Sequence, residues 1–301
     1  MNRAGVMVLM LAFAAGGCSE YNREAVDSNN QGMSLLRANR YADAREKFQR
    51  AAEEDHRYDL PLYNLALSYI RQHDWANAID ALDRAISRNP NNPEYHFQRG
   101  NAHYQIATAP ENAENSEGGA HLEQARTSFQ NAIQRNQHMY MAQFRLGQVA
   151  ELLDEPQAAL RAYTDCIASA PRAYPAYARL GRVYMNASLF NEAAQVLREG
   201  LRVAPEGSPE RGQMHNILGL TLLRQNQQVP ATEEFLAAVR EDPQLVQALF
   251  SLGMTYAEMP DRHPQAVLYL TQFVSARGGN APPEYIQIAQ ARLGELQAAG
   301  Q

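Results

Sequence analysis

Lysine is almost missing from this chain. Lys47 is the one lysine among 301 residues, so nearly all positive charge is arginine, a pattern we read as composition bias rather than function. Acidic residues outnumber lysine plus arginine, 33 to 27, for a formal net charge of −6. That balance supplies no basic face for a phosphate backbone and argues against general nucleic-acid binding. Cysteine is nearly as scarce. Cys18 and Cys166 sit in contexts too different to make a disulfide framework. There is no GxSxG, no HExxH, no glycine-rich phosphate loop with a lysine, and no CxxC. Nothing in the residues therefore asks for a hydrolase, metallopeptidase, nucleotide or redox site, and the reading is a non-catalytic protein with no cofactor. The uncharged run Ala4–Ala15 falls short of the ~20 residues that cross a bilayer. The chain is not short of apolar residues, at 45%, which is ample for a packed core.

The start of the chain reads as a targeting segment. Asn2-Arg3 precedes the apolar run, and Ala15-Gly16-Gly17-Cys18-Ser19 follows it. That order fits a secretory signal. Small residues before a cysteine resemble the lipobox of bacterial lipoproteins, although that family's usual leucine three residues before the cysteine is Ala15 here. The resemblance implies a signal over 1–17, a diacylglyceryl group on Cys18, and an acylated new amine. Several acyl chains anchor a protein stably where one does not. Ser19 after the cysteine, rather than aspartate, implies transport to the outer membrane, facing the periplasm of a bacterial cell envelope. An ordinary cleaved signal, with Cys18 incidental, is the alternative. Residues 18–24 form a tether that reaches at most about 25 Å, which would hold the folded part close to the membrane.

The organising stretch is Asp59–Asn92. Leu62, Leu65, Ala66 and Tyr69 fall at i, i+3, i+4 and i+7, the apolar stripe of one helix. A second stripe, Ala78, Leu82 and Ala85, follows His73-Asp74 and ends at Pro90. Two helices with one apolar face each make a hairpin of 34 residues, which resembles one tetratricopeptide (TPR) repeat. Two rows of small residues set the register of its copies. Gly32, Ala66, Gly100, Gly147, Gly181, Gly219 and Gly253 mark the first helices, and Ala44, Ala78, Ala125, Ala159, Ala193, Ala231 and Ala266 the second. A glycine inside a helix costs about 1 kcal/mol relative to alanine. Its periodic return makes sense where another helix packs too closely for a larger side chain. Phe48, Leu82, Phe129, Tyr163, Leu197, Phe235 and Leu270 follow four residues after each alanine. Three further on, Cys166 takes a small-residue slot and reads as a buried core residue.

The expected fold is all-α: a right-handed solenoid of about seven TPR hairpins over 25–279 with a capping helix and tail at 280–301. Extra residues interrupt the period around 107–120, where ATAPENAENSEGGA reads as a flexible loop. Four more precede the sixth repeat, where Ser208-Pro209-Glu210 is a helix start and predicts a longer helix. The first repeat is weak, with Ser28 and Gln31 at usually apolar positions. In Glu284–Ala299, Tyr285, Ile288, Ala289, Arg292, Leu293 and Leu296 share the side expected to cover the last repeat.

TPR arrays bind protein or peptide partners on the face lined by the first helix of each repeat. By that resemblance, the fifth, ninth and twelfth positions give Tyr63, Leu67 and Ile70; Phe97, Asn101 and Tyr104; Phe144 and Gln148; Arg182 and Met185; Leu220; and Phe250. Such a lining is aromatic and aliphatic with scattered amides, and suits an amphipathic helix or extended apolar segment. Only Arg182 is charged, so the lysine-rich clamp that holds carboxylate termini in chaperone-binding TPR domains is not reproduced. His96 and His103, seven apart on one helix, read as core histidines rather than metal ligands. The expectation is an envelope-anchored adaptor. Its layout is similar to TPR lipoproteins that pilot secretin assembly or tether cell-wall hydrolases. A soluble periplasmic chaperone and a self-assembling unit are the alternatives.

Overall fold

The structure is a computed structural model, and it describes residues 21–112, 115–276 and 282–299. Cys18 and the apolar run Ala4–Ala15 lie outside the described residues. The described residues form helices with short connections and no strand, so the all-α expectation holds. None of the described helices is long and apolar enough to cross a membrane. The chain divides into two units, Met1–Asn91 and Asn92–Gln301.

The first unit holds two hairpins, α1 (Arg23–Arg37) with α2 (Tyr41–Glu54) and α3 (Leu60–Ile70) with α4 (Trp75–Arg88). Asn22 caps α1, its Oδ1 accepting from Glu24 N at 2.9 Å. Asp74 caps α4 in the same way, accepting from Asn77 N. Between the helices of each hairpin the chain turns through a left-handed residue, Asn39 at φ 58° and His73 at φ 59°. The core is the expected one: Phe48, Leu62, Leu65, Ala66 and Leu82 are all essentially inaccessible. Of the two polar residues that weaken the first repeat, Gln31 is exposed, while Ser28 is buried with a partner. Ser28 Oγ donates to Glu54 Oε2 at 2.9 Å. Asn64 Nδ2 donates to Asn29 Oδ1 at 2.8 Å, and Asn29 Nδ2 donates to Tyr58 Oη at 3.1 Å. Buried amides cost little once so satisfied. Arg88 donates to the carbonyls of Ala52 and Tyr58 at 2.9 and 2.8 Å, meeting acceptors that the end of α2 leaves open.

The second unit contains five hairpins and a final helix. They are α5 (Pro93–Ala107) with α6 (Ser116–Arg135), α7 (Tyr140–Leu152) with α8 (Pro156–Ser169), and α9 (Tyr174–Asn186) with α10 (Phe190–Val203). Then come α11 (Pro209–Arg224) with α12 (Gln228–Glu241), α13 (Val246–Ala257) with α14 (His263–Ser275), and α15 (Pro283–Ala299). Asp154, Ser188 and Asn226 repeat the left-handed turn of the first unit.

The reason for the glycine row is steric in both units. A Cβ on Gly32 would sit 2.5 Å from the ring of Phe48, one on Gly147 2.5 Å from that of Tyr163, and one on Gly219 2.5 Å from that of Phe235. Where that row has glycine, the second helix thus lays its large side chain on bare backbone of its own first helix. Cys166 is fully buried, as its register position predicts, and burial pushes its thiol up to about 11.

Two expectations change in detail. The segment around 107–120 is not all loop, because α6 begins at Ser116 and is 20 residues long where α8, α10 and α12 have 14. Asn115 caps it, accepting from Gly118 N at 2.9 Å, and Glu117 lies in its first turn. Gly118 is buried against the carbonyl of Asn112, a place no side chain could occupy. Conversely, α11 has the extra turn expected, with Ser208 Oγ accepting from Arg211 N and Pro209 first in the helix. In α15, Ala289 and Leu296 are buried as expected, but Tyr285 and Ile288 are 45% and 46% exposed. Among the described residues this helix packs on α13 and α14, and Tyr285 and Ile288 lie on the part of its apolar stripe that stays open.

Candidate partner-binding face

The first helix of each hairpin turns its small residues to its own second helix. Its other side chains are then left to cover neighbours or to meet a ligand. In the first unit Tyr63, Leu67 and Ile70 are half-buried on α3, a helix with no charged residue.

The second unit carries the other candidates. Asn101, Tyr104, Phe144, Gln148, Arg182, Met185, Leu220 and Phe250 are all half-buried. Phe97 differs from its expected exposure. It is 7% exposed, with its ring 5.9 Å from that of Phe129, and belongs mainly to the core. Met185, Leu220 and Phe250 also pack on the core, and Phe250 lies 5.1 Å from both Phe273 and the edge-on ring of Tyr285. These residues serve the packing at least as much as they line a surface.

The more open part of the face spans α5, α7 and α9. The Arg145 guanidinium lies 5.2 Å from the Tyr104 ring centroid and donates to Gln148 Oε1 at 2.9 Å. Farther along, Glu151 accepts from Arg179 at 2.8 Å and lies 3.6 Å from Arg182, so the charge of Arg182 is already partly answered.

A cleft of about 390 Å³ opens beside Arg145. Phe97, Tyr140, Met141, Phe144, Tyr174 and Pro175 supply apolar surface, and Arg145 and Arg172 supply charge. Tyr140 and Met141 are 42% and 45% exposed. A second cleft, of about 720 Å³, lies between the hairpin turns and carries Glu151, Asp154 and Glu155 with Arg182. Phe97 and Phe144 were legible as candidates, whereas Tyr140, Met141, Arg145, Arg172 and Tyr174 were not. They occupy other register positions, and the exposed Tyr140-Met141 pair opening α7 was the signal available for them.

The histidines pack as the register predicts. His96 and His103 are buried, and His103 Nδ1 lies 2.9 Å from His121 Nδ1. Among the described residues no group of three or more histidine, cysteine or acidic side chains could hold a metal ion.

Comparison with known proteins agrees with this architecture. Two family models described as tetratricopeptide repeat match residues 35–97 and residues 119–178 and 178–246, together more than half of the chain. The chain belongs to the tetratricopeptide repeat family. No curated protein matches it. Among solved structures it is similar to YrrB, a TPR protein with an unusual peptide-binding site, at 19% identity and a TM-score of 0.55, over 67% of this chain and 95% of that one. It is also similar to the C-terminal part of a TPR protein from Cytophaga hutchinsonii, at 15% identity and a TM-score of 0.60, over 79% and 89%. MamA from Desulfovibrio magneticus matches at 20% identity and a TM-score of 0.52, over 62% and 96%. At these identities the likeness is one of fold. Both repeats and neighbours support a TPR-type protein-interaction scaffold.

Proposed function

We propose that this scaffold is an adaptor held on a bacterial envelope membrane through Cys18, which binds an apolar or amphipathic segment of a partner protein along its first helices. The observation that carries the binding part is the half-buried aromatic, aliphatic and amide side chains on those helices: Tyr63, Leu67 and Ile70 in one unit, and Tyr104, Phe144 and Gln148 in the other. Aromatic side chains offer large contact area at modest entropy cost. The peptide-binding site named for YrrB is in keeping with this use of the fold. The anchoring part rests on the order of Asn2-Arg3, the apolar run and Ala15-Gly16-Gly17-Cys18. Within this reading, assistance to secretin assembly and tethering of cell-wall hydrolases are the two settings that the layout suits, at the outer membrane facing the periplasm.

Affinity capture from envelope membranes tests both parts. The unaltered chain is expected to retain an envelope complex that a Tyr63→Ala/Tyr104→Ala/Gln148→Ala variant loses. Phe97→Ala is left out because it would open a cavity in the core. A Cys18→Ser variant is expected to leave the membrane fraction, and unchanged partitioning would remove the anchor from the proposal.

A further inference from the structure

The cleft beside Arg145 differs in charge from the other clefts of its unit. None of its described lining residues is acidic, while two are arginines. The neighbouring clefts each carry carboxylates: Glu151, Asp154 and Glu155 in one, Glu155 and Asp165 in another, and Glu192 and Glu199 in a third. Of these four clefts it is the one whose described lining has no carboxylate, in a chain with a net charge of −6.

Arg145 is also held differently from Arg179 and Arg182 on this face. Arg179 and Arg182 are answered by Glu151. Arg145 rests on the Tyr104 ring and donates to the neutral amide of Gln148, so it is positioned without being neutralised. An arginine fork fixed in this way loses little entropy on taking a carboxylate in bidentate fashion. Beside it, Tyr140, Met141, Phe144 and Tyr174 make an apolar floor. At about 390 Å³ the cleft is at the small end of ligand sites, with room for a few side chains rather than a whole helix.

We infer that this cleft selects a partner segment in which carboxylate side chains flank an aromatic or large aliphatic residue. The apolar side chain enters between Tyr140, Met141 and Phe144, and the carboxylates meet Arg145 and Arg172. This rests on the partner-binding reading above and narrows it from any apolar segment to an acidic one. Two arginines in one cleft of a chain with a net charge of −6 are too few for a phosphate backbone, which favours a peptide over a nucleic acid.

The test is a fluorescence-anisotropy titration of the full chain with two labelled synthetic peptides of equal length. One carries Asp-Leu-Phe-Asp at its centre, the other Asn-Leu-Phe-Asn. The acidic peptide is expected to bind about tenfold more tightly, the worth of one good charge-assisted pair, and the preference should shrink as salt rises from about 50 to about 300 mM. In an Arg145→Gln/Arg172→Gln variant the two peptides should bind alike, while Arg145→Lys keeps part of the preference. Equal affinities for the unaltered chain overturn the inference, as does a preference that survives in the double variant. A single-stranded oligonucleotide that binds more tightly than the acidic peptide overturns it too. Because both peptides are compared on the unaltered chain, the first of these outcomes does not depend on any variant folding. If neither peptide binds, the acidic-segment inference falls, and the capture experiment still judges the wider reading on its own.

Discussion

Within the hairpins whose first helix carries a register glycine, the second helix lays a large side chain on it. Phe48 meets Gly32, Tyr163 meets Gly147 and Phe235 meets Gly219, at separations that leave no room for a methyl group. On the outer face of the same first helices no such rule holds. There the half-buried side chains include Tyr63 and Leu67 in the first unit, and Asn101, Gln148 and Arg182 in the second. The seam repeats because one geometry must be met each time, at native packing density. The face is under no such packing constraint, so its residue types vary. Stability should therefore be concentrated in the seam, and losses of binding without unfolding should come from the face.

The hardest strike at that contrast is Phe235→Ala. Phe235 is inaccessible and fills the space over Gly219. Its removal is expected to cost about 3–5 kcal/mol in chemical denaturation. A cost under ~1 kcal/mol would mean the second unit relaxes around the gap, and the seam would lose its special status.

Glycine substitutions in opposite directions sharpen the same point at a smaller scale. Gly147→Ala drives a methyl into the Tyr163 ring, and is expected to cost about 1–3 kcal/mol despite alanine's better helix propensity. Ser188→Gly does the reverse. Ser188 holds φ at 61° in the turn between α9 and α10, a conformation that costs a side-chain-bearing residue about 1 kcal/mol. Glycine there should raise the unfolding midpoint. If both changes moved stability the same way, close packing and turn strain would be the wrong causes.

The same contrast explains what could be read from the chain alone. All seven hairpins were legible because the seam residues recur together, and the extra turn of α11 was legible because Ser208, Pro209 and Glu210 are local start signals. The early start of α6 was not. Gly118-Gly119 reads as loop, and its cause is an approach to the Asn112 carbonyl that no local rule contains. The open half of α15 depends on how α13 and α14 pack against it, and periodicity cannot show that. On the face, register located Phe144 and Tyr104 but misjudged the depth of Phe97, which depends on how neighbouring helices cover it. The cleft lay further out of reach, since Tyr140, Arg145, Arg172 and Tyr174 converge only once α7 and α9 are placed side by side.

The smallest effect expected belongs to Arg182→Gln. Its side chain is 42% exposed, and its 3.6 Å approach to Glu151 duplicates the shorter bond from Arg179. A half-exposed pair of this kind is worth about 0–1 kcal/mol and weakens with salt. With Arg179 still in place, Glu151 keeps a charged partner, so the loss should stay under ~0.5 kcal/mol and vanish at high salt. Denaturant melts at two ionic strengths check this. A loss above ~1 kcal/mol that persists in salt would show that Glu151, Arg179 and Arg182 act together as a structural network. The face of α7 and α9 would then share the work of the seam, and the division drawn between them would fail where the two regions lie nearest.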